Sequence, residues 1–135
     1  MEKLLRGLNK NHINTKNNSV KPAGFIFKNS CFSVSRQADR TICEAINHFR
    51  DNVAKYDYFA SFKQADLASV PYQASYQDTP SHNNPYHGTV SVRVSNDEIV
   101  AKQQLIVIKQ ELAEISSLIS YENDCPETND LQMNV

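Results

Sequence analysis

The chain has 135 residues, with Lys+Arg 14 against Asp+Glu 15, a formal net charge of -1 and 40% apolar residues, which suits one domain large enough to fold without staples. No apolar run approaches the roughly 20 residues that span a bilayer, and the N-terminus lacks the apolar stretch and small-residue cleavage site of a signal peptide, so a cytoplasmic location with no membrane association is expected. Cys31, Cys43 and Cys125 show no C-x-x-C spacing, which argues against a disulfide framework and a thiolate zinc site; Cys31 and Cys43, each beside apolar residues, read as buried reduced thiols.

In residues 1–21, Lys3, Arg6, Lys10, Lys16 and Lys21 face Glu2 alone, and a short helical start at residues 2–8 gives way to a polar stretch rich in asparagine. This reads as a basic polar N-terminal arm. Such an arm can grip phosphates, but this one has no aromatic residue on which a base could stack. A solvated tail, or an arm that orders on a partner, is preferred over nucleic-acid binding. In AGFIFKNSCFSVSR, residues 25–27 and 32–34 flank Lys28-Asn29-Ser30, and a first hairpin is expected with Phe32 and Val34 inward.

The period then changes. Ile42, Ile46, Phe49 and Val53 share one helical face, so an amphipathic helix should lie on a sheet, with Ser35 or Asp39 capping it. His48 is read as a favourable partner of the helix dipole rather than a ligand. Tyr58, Ala60 and Phe62 alternate with Phe59 and Ser61 as a strand, which Pro71 ends. Residues 71–88 form a long polar loop. Val90, Val92 and Val94 mark a strand with one buried face, after which Ser95 or Asn96 caps a long helix with Asp97 and Glu98 in its first turn.

The loop holds the one segment that looks like chemistry, DTPSHNNPYHG at 78–88. Asp78, His82 and His87 could ligate a transition metal, or His87 could act as a base with Ser81, Ser91 or Tyr86; either would make a small metal-dependent or His-based enzyme. The H-x4-H spacing lies on a proline-broken loop, however, and nothing in it aims both rings at one point. The chain has three glycines in all, too few for a phosphate-cradling loop, and no nucleophile elbow. A structural reading uses the same residues. Asn84 is held extended by Pro85 and its amide makes an Asx turn, Gly88 permits positive φ at the strand entrance, and His87 pins the loop through both ring nitrogens. The turn reading is preferred, with no metal and no cofactor assigned.

NNPYHGTVSV resembles a segment of small uncharacterised bacterial proteins in which Asn-Pro, one residue, His and a small residue lead into a strand. CFSVSR, a helix and YFASFKQADL fit their layout, so the resemblance spans residues 30–94. It implies at most an accessory role, in some cases beside larger proteins of defence or toxin-type operons, and it assigns no catalytic residue.

In SNDEIVAKQQLIVIKQELAEISSLIS, Ala101, Leu105, Ile108, Leu112, Ile115 and Ile119 form a heptad seam. A second apolar set lies around the helix: Ile99, Ile106 and Ala113 seven apart, with Val100 and Val107 beside them. One helix on one sheet needs one apolar face. The second set implies burial by the N-terminal segment, with Leu4, Leu5 and Leu8, or by another subunit, and the intermolecular choice is preferred. Residues 121–135 read as an acidic, disordered tail.

The expected fold is α+β: an antiparallel sheet of three to four strands, one amphipathic helix packed on it and a long C-terminal helix, all within residues 22–120. The expected function is that of a small intracellular non-catalytic assembly or adaptor subunit, binding a protein partner or itself through residues 99–119. The alternatives are the loop-histidine enzyme and a nucleic-acid accessory protein using the basic arm.

Overall fold

KLLRGL, near the N-terminus, is a strand rather than a helix. In the computed structural model, which describes residues 2–126, Lys3–Leu8 (β1) runs into a short ribbon of Ile13–Asn14 (β2) and Ser19–Val20 (β3). A single 3-10 turn at Pro22–Gly24 precedes Cys31–Arg36 (β4). Then follow Ile42–Asn52 (α1), Tyr58–Lys63 (β5), a 3-10 segment at Gln64–Ser69, Ser75–Asp78 (β6), His87–Ser91 (β7), Glu98–Ile115 (α2), Ser117–Ser120 (β8) and Tyr121–Asp124 (α3).

Six strands form one antiparallel sheet in the order β6-β7-β4-β1-β5-β8. The α+β class stands, but the sheet is wider than the three to four strands expected. Two of the additional strands, β6 and β8, are the edges, and the third is β1. β6 (Ser-Tyr-Gln-Asp) lies inside the segment read as loop, and β8 takes Ile119 out of the helical seam, because α2 stops at Ile115.

β1 explains why the N-terminus is no arm. Leu4 and Leu8 join one core with Phe25, Phe32, Val34, Ala60, Phe62, Val90, Ile108 and Leu112. Leu5 points the other way, into a second core with Ala45, Ile46, Phe59 and Cys125. A strand buried on both faces loses its polar alternation, so Leu4-Leu5 mimics the start of a helix. Gly7 has a packing role: a Cβ there would overlap the ring of Tyr56.

α2 covers the first face of the sheet, helped by the turn at Pro22–Gly24 and by β3. Asp97, not Ser95 or Asn96, caps it, its Oδ1 accepting from Ile99 N at 2.9 Å and Val100 N at 3.1 Å. α1 and α3 cover part of the second face. The α1 cap is Thr41, in a Thr-x-x-Glu box: Thr41 Oγ1 accepts from Glu44 N at 3.1 Å while Glu44 accepts from Thr41 N at 2.8 Å. Cys43 of α1 is bridged to Cys125, just past α3, with a Cα–Cα distance of 5.5 Å. That corrects the reading of Cys43 as a reduced thiol; Cys31 is free. The part of the acidic tail after residue 126 lies outside the described residues.

The hairpin expected at Lys28-Asn29-Ser30 exists as a turn. Lys28 and Cys31 exchange backbone hydrogen bonds of 2.8 and 3.1 Å, and Asn29 and Ser30 have φ of 51 and 62°, as a two-residue loop between antiparallel strands requires. Residues 25–27, however, are not a strand. Phe25 instead turns fully into the core, edge-on to Phe32 and Phe62 at 5.5 and 6.4 Å.

Candidate functional site

The 78–88 segment folds onto the α1 side of the sheet and is docked there by its own side chains. Asn84, 1% exposed, donates through Nδ2 to Ser35 Oγ at 3.3 Å and accepts at Oδ1 from Tyr86 N at 3.0 Å, an Asx turn. Tyr86 lies between helix α1 and the segment leading into it: the Arg40 guanidinium stacks 3.5 Å over its ring, and the His48 ring meets it edge-on at 5.1 Å. Asn83 Nδ2 adds a bond to Asn52 O, at the end of α1, at 3.1 Å. These contacts spend the loop's polar groups on holding it to α1 and β4.

Asp78, His82 and His87 do not converge. Strand alternation sends Asp78 to the α2 side, where it accepts from Tyr76 Oη at 2.6 Å and lies 3.8 Å from Arg36 Nε. His82 is exposed on the loop. His87 Nδ1 lies 2.8 Å from Thr79 O and 3.0 Å from Thr79 Oγ1, so this ring nitrogen is engaged in pinning the loop. Among the described residues, no group of three or more His, Cys, Asp or Glu side chains could hold a metal ion.

Gly88 does not take the positive φ expected of it; no glycine does. Its role is steric. A Cβ at Gly88 would overlap the ring of Tyr76, which crosses from the neighbouring edge strand, so the ring covers bare backbone. Burial first, and then the bond to Asp78, raise the Tyr76 pKa.

A cavity of about 260 Å³ opens beside this loop, between the C-terminal half of α1 and the sheet. Leu5, Phe49, Val53 and Ala54 supply apolar wall, while Arg6, Ser33 and His87 supply polar groups. Arg6, expected as a cation of the N-terminal arm, is instead part of this cavity. Its position inside the apolar run Leu-Leu-Arg-Gly-Leu was the available signal. β1 and β4 pair only at Leu4↔Arg36 and Leu5↔Ser35; past that point the Arg6 guanidinium fills the seam, Nη1 donating to Ser33 O at 2.9 Å and Nε to Gly24 O at 3.0 Å.

The second surface is the outer face of α2. Ile108 and Leu112 are buried against the sheet, with Leu105 and Ile115 packed beside them. On the opposite side Ile99, Val100, Ile106 and Val107 are 72, 40, 58 and 43% exposed. Ala113, expected with them, instead packs against the core beside β3. No helix of the described residues is long and apolar enough to cross a membrane.

No protein family, curated protein or solved structure matches the chain.

Proposed function

We propose that this chain is a small non-catalytic assembly subunit that binds protein through the outer face of α2, and that the first occupant of that face is a second copy of itself. One observation carries the reading. Four β-branched side chains, paired as 99/100 and 106/107 and seven residues apart, stand in solvent on the side of the helix opposite its buried seam. Gln103 and Gln110 complete the strip, so its centre carries no charge and two copies can meet without like-charge repulsion. In a heptad frame with Ile99 and Ile106 in one core position, Lys109 flanks one edge and Glu114 the other, and a parallel copy brings Lys109 opposite Glu114 of the partner subunit.

The magnitude makes this a weak pair. The four side chains expose the equivalent of roughly two full residues, worth about 4 kcal/mol per copy and about 8 kcal/mol in a dimer. Association costs about 4–15 kcal/mol, so at the low end of that cost the pair nets about 4 kcal/mol and the expected Kd is about 1 mM. Sedimentation equilibrium from ~10 μM to ~1 mM tests this. The wild-type mass should rise toward twice that of the chain, and Ile106→Glu with Val107→Lys should hold it at one chain with an unchanged unfolding midpoint. A wild-type monomer at ~1 mM, or a double variant that loses cooperative unfolding, would overturn the reading.

Because β1 is an interior strand, the basic N-terminal residues do not offer the free arm that a nucleic-acid role needs. The Cys43–Cys125 bridge suits an oxidising compartment better than the cytoplasm.

A further inference from the structure

We propose that the cavity between α1 and the splayed β1–β4 seam binds a small organic monocarboxylate with an apolar body, its carboxylate held by Arg6. The argument starts from a charge without a counter-charge. The ion pairs among the described residues join Arg36 to Glu2 and Asp78, and Arg50 to Asp57; none involves Arg6. Yet Arg6 sits half-buried in the sheet seam, 5.3 Å over the Phe32 ring, and burial lowers its pKa. Desolvating a guanidinium is unfavourable unless charge and hydrogen bonds return to it.

Two carbonyls, Ser33 O and Gly24 O, hold Nη1 and Nε in place. A guanidinium has five N–H donors in a fixed fork, so the outer edge of Arg6 keeps donors for a planar carboxylate. The walls fit the rest of such a molecule. No Asp or Glu lines the cavity, and Leu5, Phe49 and Val53 offer apolar surface to a body of a few carbons. A second recess of about 310 Å³ shares Arg6 and Ser33 and continues to Lys28 and Thr89, again without a carboxylate. The whole cleft is therefore cationic and hydroxyl-rich at one end and apolar at the other. The two recesses together fall within the range of about 300–1,000 Å³ typical of small-molecule sites. The single anchored guanidinium favours one negative charge over a phosphate's two.

The test is a titration of the full chain with sodium benzoate, followed by amide NMR shifts, with benzyl alcohol as uncharged isostere and inorganic phosphate as the competing anion. Benzoate should give saturable shifts at Ser33, Val34, Val53 and Ala54 with a Kd of about 1 mM. Benzyl alcohol and phosphate should each bind at least tenfold more weakly. Arg6→Lys should weaken benzoate by about tenfold. Because Arg6 also satisfies two carbonyls and its variant could unfold, Val53→Trp serves as the second probe. Val53 is on the exposed rim at 39%, and the indole should fill the cavity and abolish the shifts in a folded protein. Absence of saturable shifts, or shifts that survive Val53→Trp, would overturn the site. Equal binding of benzyl alcohol or of phosphate would overturn the carboxylate class.

Discussion

Replacing both Cys43 and Cys125 by alanine should lower the stability of this protein by up to about 4.5 kcal/mol, and the reasoning can be checked at each step. The bridge closes a loop with a sequence separation of 82, and the chain-entropy relation for a loop of that size gives about 4.5 kcal/mol at 25 °C. Whole domains are stable by only about 5–15 kcal/mol, so this one link carries a large share. At roughly 3 °C per kcal/mol for a chain of this size, the melting midpoint should fall by on the order of 10 °C. The assay is thermal and urea unfolding by circular dichroism, with and without dithiothreitol. The urea m-value should also rise, because the unlinked unfolded chain exposes more surface. Cys31→Ala should change neither quantity appreciably, since Cys31 is free and half-buried. Denatured, unreduced protein should show one reactive thiol. Three reactive thiols, or a midpoint shift below about 2 °C in the double variant, would refute the clamp.

The remaining predictions concern the loop and the edge strand. Gly88→Ala should cost about 1–3 kcal/mol by forcing Tyr76 off the backbone, and it should be nearly neutral in a Tyr76→Ala background, as urea midpoints of the double-mutant cycle will show. Asn84→Ala should cost about 1–3 kcal/mol by leaving Ser35 and the Tyr86 amide without their partner, whereas His82→Ala, on the exposed loop, should stay within about 0.5 kcal/mol. The raised Tyr76 pKa means that the fold prefers the neutral phenol. Its contribution is full below the ordinary tyrosine pKa of about 10 and is lost as pH rises above that value toward the folded pKa. Tyr76→Phe should therefore flatten the alkaline loss of stability between ~pH 9 and ~pH 11 in a midpoint-versus-pH series.

Three features were legible in the sequence because each is written in local periodicity. Ile42, Ile46 and Phe49 repeat with a helical period and lie on the inner side of α1. Tyr58, Ala60 and Phe62 alternate with Phe59 and Ser61 in β5, although both sets turn out to be buried. Leu105, Ile108, Leu112 and Ile115, four of the six seam positions, seat α2 on the sheet. The α1 start is also written locally, in Thr41 followed three residues later by Glu44, a stronger cap signal than Ser35 or Asp39.

Tertiary structure alone decided the rest. A strand covered on both faces has no alternation to display, so Leu4-Leu5 of β1 could not be told from a helix turn. An edge strand as polar as Ser75–Asp78 carries no apolar signature, and its place follows from the Tyr76 ring lying over Gly88. Cys43 and Cys125 are far apart in sequence, and only the packing of α1 beside α3 brings their sulfurs together. The environment of Arg6 is made by Gly24, Phe32 and Ser33. Sequence patterns report what a residue needs from its near neighbours; burial, pairing and charge balance depend on residues that only the folded chain makes adjacent.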